Sequence, residues 1–393
     1  MPTPLQIAPF IFDAPHVRHL ENIASSSSSF SVNIVQKGIP VEPCSPGLKM
    51  TAKRYTSGFS GDNTFGLTLL FAHGVGSHKE QWEPTIERIF LTQATKERHH
   101  QIREAWSFDW QNHGDAALVN EEALRGRHEG VCEHLIVIRV RVETDWLLHT
   151  TAIYEWAPAI IEFVLSPRMV GHRIVPLGHS AGAGAIMLTT KSFLLSHLPY
   201  VSLILIEPTM ITREMFEAHF DDRIRSMEMS VGATEVRRDV WPDREEAFRW
   251  LSRRFPFRTW DPRVVRLLVE QGLYQKSPGS KAVSLKCDRK QEAISYPDVD
   301  GHFEATTELA RVCRTLPVHV IWGTSNDMFV LLGSPDYFQD SLTDATQGRI
   351  VASASKVHGA GHLVMQEKPD HLALKICEAL DTISPYLSFR SRL

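Results

Sequence analysis

Short apolar runs separated by polar or glycine-rich stretches recur along this chain of 393 residues. Runs of that kind predict strands near 30–36, 48–56, 67–72, 105–109, 173–178, 200–206, 317–322 and 349–355. Between them, apolar residues spaced three and four apart predict helices near 80–97, 151–166, 181–196, 334–343 and 367–383. The strand, helix, strand order of the second half predicts parallel crossovers, and so an α/β fold built on one doubly wound, mostly parallel, eight-stranded sheet.

One stretch breaks that rhythm. Between Ile206 and Pro317 lie about 110 residues with helical periodicity, too many for a connection inside a compact domain. They predict a helical cap over 209–315, inserted after the sixth strand, with core segments 1–208 and 316–390 on either side. Trp241, Phe248, Trp250, Phe255, Phe257 and Trp260 fall at helical spacing within it. They read as the cap's own core, with some of them roofing a site beneath. The serine run Ser25 to Ser29 reads as a surface loop and carries no chemistry.

Composition narrows the class. With 43% hydrophobic and 22% charged residues the chain has enough apolar side chains for a large core. Cys44, Cys132, Cys287, Cys313 and Cys377 are scattered and never form CxxC, which predicts reduced thiols. No run of eighteen apolar residues predicts a membrane span, and the first ten residues lack the basic start and apolar centre of a secretion signal. The last residues, Ser391-Arg392-Leu393, are a close variant of the Ser-Lys-Leu peroxisomal address, so the import receptor is an expected partner and the peroxisome the expected location. A net charge of −4 speaks against general nucleic-acid binding. Charge is nevertheless uneven: Arg237 to Lys290 holds fourteen Lys/Arg against seven Asp/Glu, hence +7, and the rest of the chain is −11. A local basic face of that kind suits an anionic ligand.

Candidate chemistry centres on residues 173 to 184, Arg-Ile-Val-Pro-Leu-Gly-His-Ser-Ala-Gly-Ala-Gly. An apolar strand runs into a GxSxG pentapeptide and then a helix, the strained turn that exposes a nucleophilic serine, here Ser180. Serine needs a base, and the base needs an acid to orient it. Val357-His358-Gly359-Ala360-Gly361-His362-Leu363 stands after the last predicted strand, where the Ser, acid, His order requires the base. His362, among small residues, is the candidate and His358 its reserve. Two carboxylates compete for the acid: Glu207, ending the apolar run 203–206, and Asp327, just past Val320-Ile321-Trp322-Gly323. A glutamate ending such a strand is costly to bury unless paired. Leu67 to Ala72 leads into His73-Gly74-Val75-Gly76, so the Val75 and Ala181 N–H groups are the expected oxyanion donors.

Other chemistries fail on spacing. His134 follows His128-Glu129 six residues after the first histidine instead of four, so the metalloprotease helix is not met. Gly182-Ala183-Gly184 meets Met187 where a dinucleotide fingerprint needs a small residue, and no phosphate loop of the GxxxxGK type exists. His99-His100 reads as a solvated pair. Neither a metal nor an organic cofactor is expected.

These residues make the chain similar to the α/β-hydrolase superfamily over nearly its whole length. Within it, the chain resembles a fungal branch of peroxisomal hydrolases, those of AK-toxin-type biosynthesis and of mycophenolic acid acyl-CoA hydrolysis. The stretches carrying the likeness are Phe71-Ala72-His73-Gly74-Val75-Gly76-Ser77-His78-Lys79-Glu80, Asp109-Trp110-Gln111-Asn112-His113-Gly114-Asp115, Gly178-His179-Ser180-Ala181-Gly182 and Trp260-Asp261-Pro262-Arg263. The resemblance implies a triad whose acid ends the strand after the serine turn, on Glu207, where the mycophenolic acid enzyme carries aspartate. It implies acyl-CoA thioesters as substrates in a secondary-metabolite pathway. Arg237, Arg238, Arg253 and Arg254 are the candidates for the coenzyme A phosphates, since arginine pairs well with phosphate. The rival expectations are an esterase or lipase acting on a neutral lipid, and a non-catalytic ligand-binding protein of the same fold.

Overall fold

The computed structural model describes residues 4–14, 47–125, 153–325 and 335–385. Its strands, in chain order, are β1 (Leu5–Asp13), β2 (Lys49–Ser57), β3 (Leu67–Ala72), β4 (Ile102–Phe108), β5 (Arg173–His179), β6 (Leu203–Ile206), β7 (Val240–Trp241), β8 (Leu273–Gln275), β9 (Val283–Leu285), β10 (Val318–Gly323) and β11 (Ser353–Val357). Eight of them form one sheet in the order β1-β2-β4-β3-β5-β6-β10-β11. The β1–β2 and β2–β4 pairs are antiparallel and every other pair is parallel.

Strands β3, β5, β6 and β10 are buried along their whole length. Helices cover both faces there, which is why these strands read as continuous apolar runs. Successive residues feed opposite layers. Leu205 and Val320 pack with the helices Ile153–Leu165, Ala181–Thr189 and Asp300–Val312, while Ile204, Ile206 and Ile321 pack with the helices Glu83–Gln93 and Pro369–Leu380.

The edge differs from expectation. The predicted strand at 30–36 lies outside the described residues, and the strand pairing with β2 is Leu5–Asp13. Its exposure alternates, Pro9 sits where an edge strand tolerates a missing N–H, and Phe10 and Phe12 fold over Trp106 and Phe163.

The insertion is mostly helical but also holds a small antiparallel sheet in the order β7-β9-β8. Trp241 and Trp260 are buried there with Leu251, Val264, Val265 and Leu268, and Phe248, Trp250 and Phe257 pack against them, whereas Phe255 is exposed. The Trp260-Asp261-Pro262-Arg263 stretch is a helix start: Asp261 caps the helix Pro262–Gln271 by accepting from the Arg263 N–H, and Pro262 occupies its first position. Arg263 also reaches Asp370, and the Asp261 N–H donates to the Gln366 carbonyl, tying this helix start to the segment after β11. The helix Asp300–Val312 packs on the main sheet through Ala305, Leu309 and Val312. Among the described residues no helix is long and apolar enough to cross a membrane.

Candidate active site

β5 ends at His179 and the helix Ala181–Thr189 begins at once, leaving Ser180 as the turn, with φ 57° and ψ −125°. Only small neighbours permit a turn this tight. A Cβ on Gly178 would stand 2.4 Å from the Gly182 carbonyl oxygen, and one on Gly182 would stand 2.6 Å from the Ala72 and His73 oxygens. The loop after β3 presses on the same point, since a Cβ on Gly74 would lie 2.8 Å from the Ser180 Cβ.

His362 reaches this turn from the loop after β11. Its Nε2 lies 2.9 Å from the Ser180 Oγ and its Nδ1 lies 3.2 Å from Glu207 Oε2. The other oxygen of Glu207 accepts from the Gly323 N–H. Both side chains are buried, while Ser180 stays partly open. With the Glu207 carboxylate at Nδ1, that nitrogen carries the proton and Nε2 is left to accept from the serine hydroxyl. His179 holds the loop from behind, its Nε2–H donating to the His362 carbonyl oxygen at 2.8 Å. Burial, followed by the neighbouring His362, lowers the His179 imidazole to about 3, so it stays neutral.

His358 is exposed and Asp327 lies outside the described residues. His73 is fully buried, donates from Nδ1 to the Gly74 carbonyl, and its own carbonyl accepts from the Trp110 indole. Burial lowers it to about 4, against the pull of Asp109. Val75, half-buried, follows Gly74, and Ala181 opens the helix behind Ser180, where helix N–H groups are unpaired and the dipole favours negative charge.

The four arginines do not form one cluster. Arg237 is held by Glu292 through both terminal guanidinium nitrogens, at 3.0 and 2.5 Å, and this pairing outweighs burial and raises it above the ordinary arginine value. Arg238 donates to the Val240 carbonyl and lies over Trp241 and Trp250, Arg254 lies over Trp250, and Arg253 is exposed. A cavity beside Arg237 is lined by Gly76, His78, Trp241, Leu268, Cys287 and Glu292 among others. Cys287, Cys313 and Cys377 are free thiols. The His99 and His100 rings are half-buried against each other at 4.1 Å, with His100 bonded to the Ile383 carbonyl, and so are not freely solvated.

A family model described as alpha/beta hydrolase family matches residues 69–373. The chain belongs to the alpha/beta hydrolase family. As a hydrolase of this family it is 27% identical over 219 residues to the type I acyl-CoA thioesterase mpaH of Penicillium roqueforti. That match spans 56% of this hydrolase and 42% of the relative, less than half the relative's length. The peroxisomal alpha-beta-hydrolase Lpx1 of Saccharomyces cerevisiae superposes with a TM-score of 0.62 at 18% identity, covering 96% of this chain and 89% of that one. The thioesterase domain from the curacin biosynthetic pathway gives 0.53 at 14% identity, over 84% and 95% of the two chains. At such identities the two structures speak for the fold alone.

Residues to which the sequence reading gave no role in the site also meet here. Asn112, His113 and Glu292 all approach the loop after β3. Asn112 and His113 lie in the Asp109 to Asp115 stretch that carries the family likeness, directly after a buried strand, whereas Glu292 has no linear signal.

Proposed function

We propose that this hydrolase cleaves an acyl-CoA thioester or a related ester through Ser180, His362 and Glu207. The observation that carries the proposal is the continuous hydrogen-bond chain from Ser180 through His362 to Glu207 at the strained turn. Ser180 Oγ attacks the acyl carbonyl as His362 Nε2 takes its proton, and the Val75 and Ala181 N–H groups stabilise the oxyanion. His362 returns the proton to the departing thiol or alcohol, leaving an acyl-serine. Water then attacks with its proton passing to His362, and the carboxylic acid leaves as Ser180 is reprotonated.

The thioester reading is supported by the thioesterase named among the relatives and by the basic composition of the cap. One observation favours an oxygen ester of a neutral lipid instead: Arg237 is already neutralised by Glu292, which leaves Arg238, Arg253 and Arg254 for phosphate. Peroxisomal residence, through an import receptor reading Ser391-Arg392-Leu393, and a place in secondary-metabolite or toxin biosynthesis belong to the same proposal. A fluorescent fusion with and without those three residues tests the location.

Turnover of matched acyl-CoA thioesters and simple esters by the wild type and Ser180→Ala tests the chemistry. Thioester hydrolysis lost in the variant supports the proposal. Ester turnover alone moves the substrate to neutral esters. No turnover, together with no labelling of Ser180 by a fluorophosphonate, leaves a ligand-binding protein.

A further inference from the structure

Gly76 follows Val75 directly, and its N–H donates to His113 Nε2 at 3.0 Å. A backbone N–H can only donate, so Nε2 must be unprotonated and the ring proton sits on Nδ1. That proton is given to Asn112 Oδ1 at 2.7 Å. Asn112 therefore turns its amide nitrogen outward, where it donates to the Gln291 carbonyl at 2.9 Å. The far end is again a backbone group with a single role. Both ends fix the direction of every link, so tautomer and amide orientation are dictated by the geometry.

Gln291 belongs to the cap helix Arg289–Ala293. The next residue of that helix touches the same loop by a second route. A Cβ on Gly76, at φ +77°, would lie 2.8 Å from Glu292 Oε1, so the carboxylate rests against the glycine Cα while Arg237 holds both of its oxygens. One cap helix thus acts on one loop residue twice, on its N–H through Asn112 and His113 and on its Cα through Glu292. Asn112, His113, Gln291 and Glu292 are all buried, so water does not stand in for a broken link.

We infer that the cap sets the oxyanion loop through the relay Gln291–Asn112–His113–Gly76, with His113 as the positioning residue that aims the Val75 N–H. The inference rests on the proposed role of Val75 as oxyanion donor. Burial and the nearby His73 and Arg237 hold His113 well below the ordinary histidine range, which keeps Nε2 an acceptor.

The test compares His113→Leu, which has no acceptor, with His113→Gln, whose amide oxygen can take the Gly76 N–H. Misaiming one oxyanion donor lowers kcat by about 100-fold, and the same factor is expected here with KM changed little. The rate of Ser180 phosphonylation by a fluorophosphonate should fall in parallel in His113→Leu, and His113→Gln should recover most of both. If the leucine variant does not fold, a ¹⁵N-histidine spectrum of the wild type decides, since a proton on His113 Nε2 overturns the relay. Equal loss in both variants, or a raised KM at unchanged kcat, also overturns it. A wild type that neither turns over substrate nor reacts with the fluorophosphonate refutes the serine mechanism itself, a separate outcome.

Discussion

Ser180 and Glu207 end adjacent parallel strands, and both hold a positive φ, 57° and 44°, which no other non-glycine residue among those described does. The Ser180 N–H is bound by the Ile206 carbonyl and the Glu207 N–H by the Ile321 carbonyl, so each strand end is pinned to its neighbour in this unfavoured conformation. Such a residue stores roughly 1–3 kcal/mol of backbone strain. Ser180→Gly should relieve part of it while Ser180→Ala cannot. Both variants should be inactive, and urea unfolding should find the glycine variant the more stable by about 1 kcal/mol. Equal stabilities would show that the turn is unstrained.

Glu207 supplies one oxygen to His362 and the other to the Gly323 N–H. In Glu207→Gln the amide oxygen would stay with Gly323 and present the NH₂ to Nδ1, forcing the wrong imidazole tautomer. A loss in kcat of about 10⁴ follows by the logic of triads that lose their carboxylate charge. Glu207→Asp should lose less but still markedly, because a side chain shorter by one methylene cannot reach both partners. Asp327→Asn should leave kcat nearly unchanged. Steady-state kinetics on the three variants checks this, and the reverse order would transfer the acid to Asp327.

Three buried histidines predict an acid limit to stability. Burial pushes His73, His179 and His302 from 6.5 to about 4, about 3 and about 4, respectively. For a base whose folded value is lowered, the unfolded chain binds the proton first. The stability these groups contribute is therefore complete above about pH 6.5 and is lost as pH falls toward 4. Each adds a slope of up to about 1.4 kcal/mol per pH unit in that window. Urea midpoints should hold steady from pH 8 to 7 and fall steeply from pH 6.5 to 5, less steeply in His302→Gln. An identical slope in that variant would refute the assignment.

What is legible in the sequence is local. The turn around Ser180 announces itself because strand, glycines and helix are contiguous, and His362 follows from chain order and small neighbours. The core strands were legible because burial on two faces leaves unbroken apolar runs. β1 was not, since an edge strand carrying Pro9 and alternating exposure resembles an arm. Arg237 read as free positive charge because composition counts charges without pairing them, and its partner Glu292 lies 55 residues away. The partner of Asn112 was illegible for the same reason, Gln291 being 179 residues distant.

The Asp109 to Asp115 stretch makes a further test. Asp109, fully buried, accepts from the Thr51 hydroxyl at 2.7 Å, the Lys79 N–H at 2.8 Å, the Lys79 ammonium at 2.7 Å and the Asp115 N–H at 3.0 Å. Gly114 is required beside it, since a Cβ there would lie 2.3 Å from the carboxylate. Lys79, itself buried, also meets Glu80 and Asp115, and the cap's Lys286 binds Asp115 from the other side. Burial alone would lower the Lys79 ammonium, but Asp109, Glu80 and Asp115 outweigh it and raise it instead. Removing only the cation strands buried carboxylates, so Lys79→Met should destabilise by about 3–5 kcal/mol. Lys79→Met with Asp109→Asn should cost less than the two single changes added together, because the second change removes the uncompensated charge that the first creates. Urea unfolding of the three variants measures the coupling. Additive losses would mean that Lys79 acts through packing alone, and the cap's attachment through Lys286 and Asp115 would then be independent of the charge beneath it.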